Sequence, residues 1–416
     1  MATDDRRDDT MYVPAWQGLT LGGFFARPSE TLTPFPFRAP HRTAFHTARS
    51  AIYQLFRKLV ESGRTKVLVP DYHMGNEIRA IRAAGAEVKL YSIGRDGRPD
   101  LDELSRRAAE ADVLFTIHYA GWSQPIADLR KLCDDRGLVL VEDCAVALFS
   151  ETGGRPLGSF GDYAVFCLYK TLPVVDGGLL VQNRDPCPEL DRLPLRPIGR
   201  VFELGQAAEL CLERFRGGAP RLGAALSTVK RGVGRLLNAF HVKRVPVGDI
   251  GFDTAHANFA MSTWSEHLLV RLDCATIRRQ RRKNFTMLAE QLAASGIVPW
   301  LDLQSGVCPL FFPLLVKDKP AAARALRNCG VMATELWNEG DPLSADHEGP
   351  AARFLRRHVL ELPIHQDIRD TQIRYMARRV VDLKIALEQA LKVPAQQVGD
   401  HAVSTECTAL SVASSS

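Results

Sequence analysis

Lys170 and Asp143 each close an apolar, β-branched run, AVFCLYK at 164–170 and LVLVEDCA at 138–145, and such runs are strands of a buried sheet. A primary amine able to form a Schiff base, with a carboxylate able to keep a pyridine nitrogen protonated, is what pyridoxal phosphate asks of a protein. Its third demand is backbone N–H groups for the phosphate, and the helix start Thr47-Ala48-Arg49-Ser50 offers them. Alone, Lys170 reads as a solvated surface cation and Asp143 as a helix-capping or strand-end carboxylate. Presented together at one sheet edge, they select this cofactor. Tyr72 or His73, after KVLVPDY, supplies a flat side chain to stack on its ring. His118, at the end of VLFTIHYA, fits equally a structural imidazole bonded to nearby backbone and a group beside the cofactor.

These residues need elements to carry them. Apolar runs at 66–72, 87–93, 113–120, 138–145, 164–170 and 179–183 alternate with segments at 49–62, 76–84, 101–110 and 126–136 whose apolar positions fall three and four apart. Strand-helix alternation with doubly buried strands predicts an α/β fold with a mainly parallel sheet, whose ligand sits beyond the carboxyl ends of the strands. The last two runs, joined by a short link containing Asp176-Gly177-Gly178, depart from that regular pattern. A long helical segment from about 258 leads to a smaller C-terminal α/β region, with a strand at 308–316 and helices near 320–329 and 370–391. Arg278, Arg279, Arg281 and Arg282 on that segment read as a solvated helix face, with a phosphate-bearing substrate as the alternative partner of the cluster.

The whole chain has 416 residues, 46% of them hydrophobic and 24% charged, the composition of a soluble globular protein. A net charge of only +5 argues against a nucleic-acid binder. Nine scattered cysteines without a C-x-x-C pair point to reduced thiols in the cytoplasm and to no metal site, and Cys144 and Cys167 read as small buried hydrophobes. The charged start MATDDRRDDT lacks a secretory apolar core, and no apolar stretch is long enough to span a bilayer.

Several segments in order, TIHYAGWSQPIADL, LVLVEDCAVAL, GRPLGSFGDYAVFCLYKTLPVVDGG, NFAMS at 258–262 and LELPIHQD at 360–367, resemble the DegT/DnrJ/StrS family of pyridoxal-phosphate-dependent sugar aminotransferases over roughly residues 45–390. The resemblance implies the fold type I transferase architecture, a large domain plus a smaller C-terminal one. It also implies Lys170 as the Schiff-base lysine, Asp143 as the partner of the pyridine nitrogen, and main-chain phosphate binding at Ala48 and Arg49, with Ser50 completing that turn. Asn258 falls where the family reaches the phosphate of the neighbouring subunit, which implies a homodimer with shared active sites. The implied substrates are a keto sugar, nucleotide-linked in the family, and glutamate or glutamine as amino donor, in making amino sugars for a polysaccharide or a secondary metabolite. Three positions depart from the family pattern: Val146 replaces a polar residue, Cys167, itself placed among the cofactor-binding residues, replaces the serine before the lysine on a shortened loop, and Ala260 replaces an arginine. These departures keep open a catalytically silent cofactor-binding or regulatory homologue. A sugar dehydratase of the same fold, with histidine for the lysine, is disfavoured by Lys170.

The expected organisation is an N-terminal extension at 1–44, the cofactor domain at 45–185, a basic insertion at 186–257, the linking helix and smaller domain at 258–394, and a disordered tail at 395–416. Within the insertion, 191–250 holds eleven Lys and Arg against five Asp and Glu, and apolar residues at 222, 226, 229, 233, 236, 237 and 240 mark one helical face. That face suits packing against a partner subunit or, through 219–244, peripheral contact with an anionic membrane.

Overall fold

The computed structural model describes residues 11–28, 34–218 and 251–387. The apolar face at 222–240, both roles expected for 219–244, and the tail from 395 lie outside the described residues.

A seven-stranded sheet is built from β1 (Arg42–Phe45), β2 (Lys66–Pro70), β3 (Glu87–Tyr91), β4 (Val113–Ile117), β5 (Val139–Asp143), β6 (Tyr163–Cys167) and β7 (Gly178–Gln182). Their order across the sheet is β1-β7-β6-β5-β4-β2-β3. The pairs β2–β3, β2–β4, β4–β5 and β5–β6 are parallel. Only β7 runs against its neighbours, β6 on one side and β1 on the other. This is the departure that the short link through Gly177 and Gly178 predicted, because a short link can only return antiparallel. Every residue of β4, β6 and β7 is buried, as continuous apolar runs require when helices cover both faces.

Reversal of β7 sets the polarity of β1, which runs with the parallel strands and ends at the same edge as β2, β4, β5 and β6. Helix α1 (Ala48–Glu61) therefore starts at that edge too, and buries Ala51, Ile52, Leu55, Phe56 and Leu59 on the sheet. Full burial of a Leu or Phe side chain contributes roughly 1.5–3 kcal/mol. Gly178 makes the junction: a Cβ there would fall inside contact distance of the Thr47 carbonyl carbon and the Ala48 nitrogen. Gly178→Ala is accordingly expected to destabilise the fold by about 3 kcal/mol or more, as overpacking against backbone does. A thermal melt unchanged from that of the parent would contradict this.

A second, three-stranded antiparallel sheet holds β8 (Phe312–Leu315), β9 (Thr334–Glu335) and β10 (Val359–Leu362), in the order β8-β10-β9. The helical stretch predicted from about 258 is broken into α6 (Thr263–Leu269) and α7 (Cys274–Ala293). Asp273 causes the break, its Oδ1 accepting the Thr276 N–H as the N-cap of α7. The last helix, α10 (Asp370–Asp382), ends earlier than the expected 391. Lys384 takes a positive φ of 49°, and the chain turns to pair Ala386 with Val316 beside β8.

The arginine face of α7 is also corrected. Arg281 is 1% exposed. Its guanidinium donates to Gln366 Oε1, Gln17 Oε1 and the carbonyls of Leu310 and Thr171, holding both sheets and the N-terminal segment together. Arg278 pairs with Glu151 at 2.6 Å, and Arg279 remains exposed.

Candidate active site

A cavity at the carboxyl edge of the large sheet is lined by Ala48 and Arg49 of α1, Asp143 at the end of β5, Cys167 at the end of β6, and Lys170. These come from separate stretches of chain, brought to one place because parallel strands end at one edge. Met74, Glu77, Val146 and Tyr169 complete the near wall, and Trp337, from the loop after β9, forms the far one. An outer cavity of about 400 Å³ opens from Lys170, Met74, Val146, Tyr169 and Trp337. Its walls offer Gln17, Gln206, Glu209, Glu213 and Glu361, amides and carboxylates that can accept hydrogen bonds from hydroxyl groups.

Asp143 is 5% exposed, and its Oδ1 accepts the Ala145 N–H at 2.8 Å. Burial pushes its carboxyl up to about 7, with the Glu77 carboxylate adding to the rise while the Ala145 N–H and the Lys170 ammonium oppose it. Glu77 lies in the first turn of α2 (Asn76–Ala83) and accepts the Met74 N–H at 2.8 Å. Burial raises its carboxyl as well, against the neighbouring backbone N–H groups and Lys170. At the start of α1, Thr47 is the N-cap and its side chain accepts the Ser50 N–H. The amides of Ala48 and Arg49 precede the first i→i−4 bond, which makes this helix start an anion cradle. Ser50 is buried beside it, its hydroxyl within 3.0 Å of Thr47 Oγ1 and bonded to the His256 carbonyl. Burial raises the Cys167 thiol, as expected of a small buried hydrophobe.

Four expected site residues stand elsewhere. Tyr72 is wholly buried among Tyr119, Trp337 and Arg356, one layer behind the cavity wall. His73 is also buried; burial and the cations Arg356 and Arg82 push its imidazole down to about 3, so it is neutral. The residue that follows them, Met74, lines the cavity instead, because Gly75, at φ 99°, turns the loop there into α2. His118 takes its structural alternative: Nδ1 accepts the Gln124 N–H, so Nε2 donates to Glu142 Oε2 at 3.0 Å. Glu142 also accepts from the amides of Gly158, Phe160 and Gly161, so within the buried group His118, Glu142 and Cys144 the carboxylate is tied to both His118 and the 158–161 loop. Asn258 is exposed, its Oδ1 accepts from Gln54 Nε2 of α1, and it does not line the Lys170 cavity of its own chain.

Sequence reasoning missed Glu77, Met74, Tyr169 and Trp337. An acid in the first turn of a helix reads as complementing the helix dipole, and Trp337 follows the two-residue strand β9, which has no legible period.

A mostly parallel sheet flanked by helices, with a smaller sheet beyond it and a lysine and aspartate at the carboxyl edge, is the fold type I architecture of pyridoxal-phosphate-dependent transferases. Residues 35–198, which include the large sheet, match the DegT/DnrJ/EryC1/StrS aminotransferase family. GDP-perosamine synthase of Vibrio cholerae is 28% identical over 152 residues, 36% of this chain and 41% of that relative. The dTDP-4-dehydro-2,3,6-trideoxy-D-glucose 4-aminotransferase of Saccharopolyspora spinosa is 28% identical over 34% of this chain and 38% of its own. The chain thus spans about two fifths of the length of these curated relatives. Among solved structures, the Helicobacter pylori aminotransferase PseC superposes with a TM-score of 0.65 at 17% identity, covering 89% of this chain and 98% of that one. A Streptococcus pneumoniae chain assigned as a sugar aminotransferase, solved in a PLP form, gives 0.63 at 16% identity over 90% and 100%. No described helix is long and apolar enough to cross a membrane.

Proposed function

We propose that this chain is a pyridoxal 5′-phosphate-dependent aminotransferase that moves an amino group from glutamate or glutamine to a keto sugar, nucleotide-linked as in its relatives, in amino-sugar biosynthesis. The observation that carries the reading is Lys170 and Asp143 lining one cavity with the N-terminus of α1. That donor set of an amine, a carboxylate and helix-start amides fits the cofactor's aldehyde, ring nitrogen and phosphate. When bound, the cofactor supplies an electron sink for the bond broken at the donor Cα.

The chain's own groups then have separate tasks. The amides of Ala48 and Arg49 hold the phosphate. Asp143 accepts a charge-assisted hydrogen bond from the ring nitrogen and keeps a proton there. Lys170 Nζ, once freed, takes the proton from the donor Cα as general base. Glutamine and glutamate side chains of the outer cavity accept bonds from sugar hydroxyls. The eight described cysteines, all unpaired, suit a cytoplasmic enzyme.

Purified protein incubated with the cofactor should turn yellow, and glutamate should bleach it. A chain that never takes up cofactor would instead be the silent homologue that Val146, Cys167 and Ala260 left open. The exposed position of Asn258 supports a homodimer in which it serves the partner's site. Mixing inactive Lys170→Ala and Asn258→Ala chains is expected to restore part of the activity, since a mixed dimer has one intact site. A fully active monomer on sedimentation would contradict the shared site.

A further inference from the structure

Glu77 is a second buried acid in this cavity, 6% exposed, and no task proposed above uses it. It sits at the edge where Asp143 and Lys170 meet, reached from a different element, the start of α2. Its Oε1 is anchored by the Met74 N–H, which fixes the carboxylate against the wall. Around the pair, the ionisable groups lining the cavity are Lys170, Arg49 of α1, Cys167 of β6 and Tyr169. Tyr119 behind the wall also feels the Glu77 charge, and Cys144 feels that of Asp143. Glu77, Asp143 and Lys170 thus line one cavity, where the lysine's positive charge opposes the rise of both carboxyls.

We propose that Glu77 is a positioning residue of this site, whose negative charge, beyond accepting the Met74 N–H, supports the Lys170 ammonium that shares the cavity with Asp143. Negative charge on Glu77 favours the protonated lysine in the resting chain, and favours a proton on any ring nitrogen placed against Asp143. The inference deepens the proposed cofactor site and rests on it for its meaning. The arrangement itself can be read without the cofactor.

Glu77→Gln separates charge from hydrogen bonding, because the amide oxygen still accepts the Met74 N–H. In the cofactor-free chain, brief acetic anhydride labelling at neutral pH, read at Lys170 by peptide mass mapping, should run about tenfold faster in E77Q than in the parent. A loss of about one pH unit in lysine basicity corresponds to that factor. Glu77→Asp, which keeps the charge, should label at close to the parent rate. If E77Q folds poorly, Glu77→Ser removes the charge from a smaller side chain and should show the same acceleration. With cofactor bound, the pH midpoint of the yellow absorbance should fall by about one unit in E77Q. Labelling of E77Q at the parent rate overturns the inference and leaves Glu77 as an acceptor of the Met74 N–H. A parent chain that takes up no cofactor overturns the proposed function instead, while the labelling rates still decide for or against Glu77.

Discussion

Lys170→Ala is expected to abolish the yellow absorbance and to lower transamination by about a thousandfold or more, roughly 4 kcal/mol of transition-state stabilisation. The helix start at Ala48 and Arg49, proposed above to hold the phosphate, lies on a different element, so the variant should still bind the cofactor non-covalently. Equilibrium dialysis against the cofactor, run beside the activity assay, separates loss of chemistry from loss of binding. A variant with full turnover would sink the assignment of Lys170. A sugar product altered without gaining nitrogen would point to the dehydratase.

Asp143→Asn is the second large effect, and it has opposite signs in the two forms of the protein. With cofactor bound, losing a charge-assisted bond worth about 1.5–3 kcal/mol should slow transamination by roughly ten- to a hundredfold. Without cofactor, the same substitution should stabilise the chain at alkaline pH. The folded carboxyl holds its proton up to about 7, against an ordinary 3.8. Its contribution to stability is therefore complete below about pH 4 and is lost as the pH rises through 7, by an amount on the order of a few kcal/mol. Asparagine carries no such proton and still accepts the Ala145 N–H, so its melting temperature should exceed the parent's at pH 8 and converge with it near pH 4. Parallel melting curves across that window would contradict the buried, proton-holding Asp143.

β1 (Arg42–Phe45), which falls at the end of the expected N-terminal extension, was not legible in the sequence; the other six strands of the large sheet, their mainly parallel order, the departure at β7 and the Lys170–Asp143 pair were. Each follows from a pattern within one short run: continuous apolar residues, a link too short for a crossover, a polar group just past a strand. What was not legible depends on how distant runs meet. His73 and Met74 are adjacent, and only the turn at Gly75 decides that Met74 faces the cavity while His73 is buried behind it. Four arginines within five residues look like one solvated face, yet Arg281 fills a gap between two sheets whose spacing no local period encodes. His118 could not be assigned because its partner Glu142 lies on the neighbouring strand, and that pairing exists only once β4 and β5 are in register.

Arg356, in α9 (Pro350–His358), is buried against Glu348, to which it donates through Nε at 2.9 Å and Nη2 at 2.6 Å. Its remaining N–H groups reach the carbonyls of Asp71, His73 and Trp337. One side chain thus fastens the loop that ends in Met74 to the loop that ends in Trp337, and those two residues face each other across the cavity. The two walls are thus tied by a cation that does not itself line the cavity. Changing the lining residues would retune which acceptors fit while the gap stays fixed. A lesion at Arg356 would widen the mouth for every acceptor at once and blur the choice among them, which makes tolerance of new substrates and loss of selectivity separable properties of this fold.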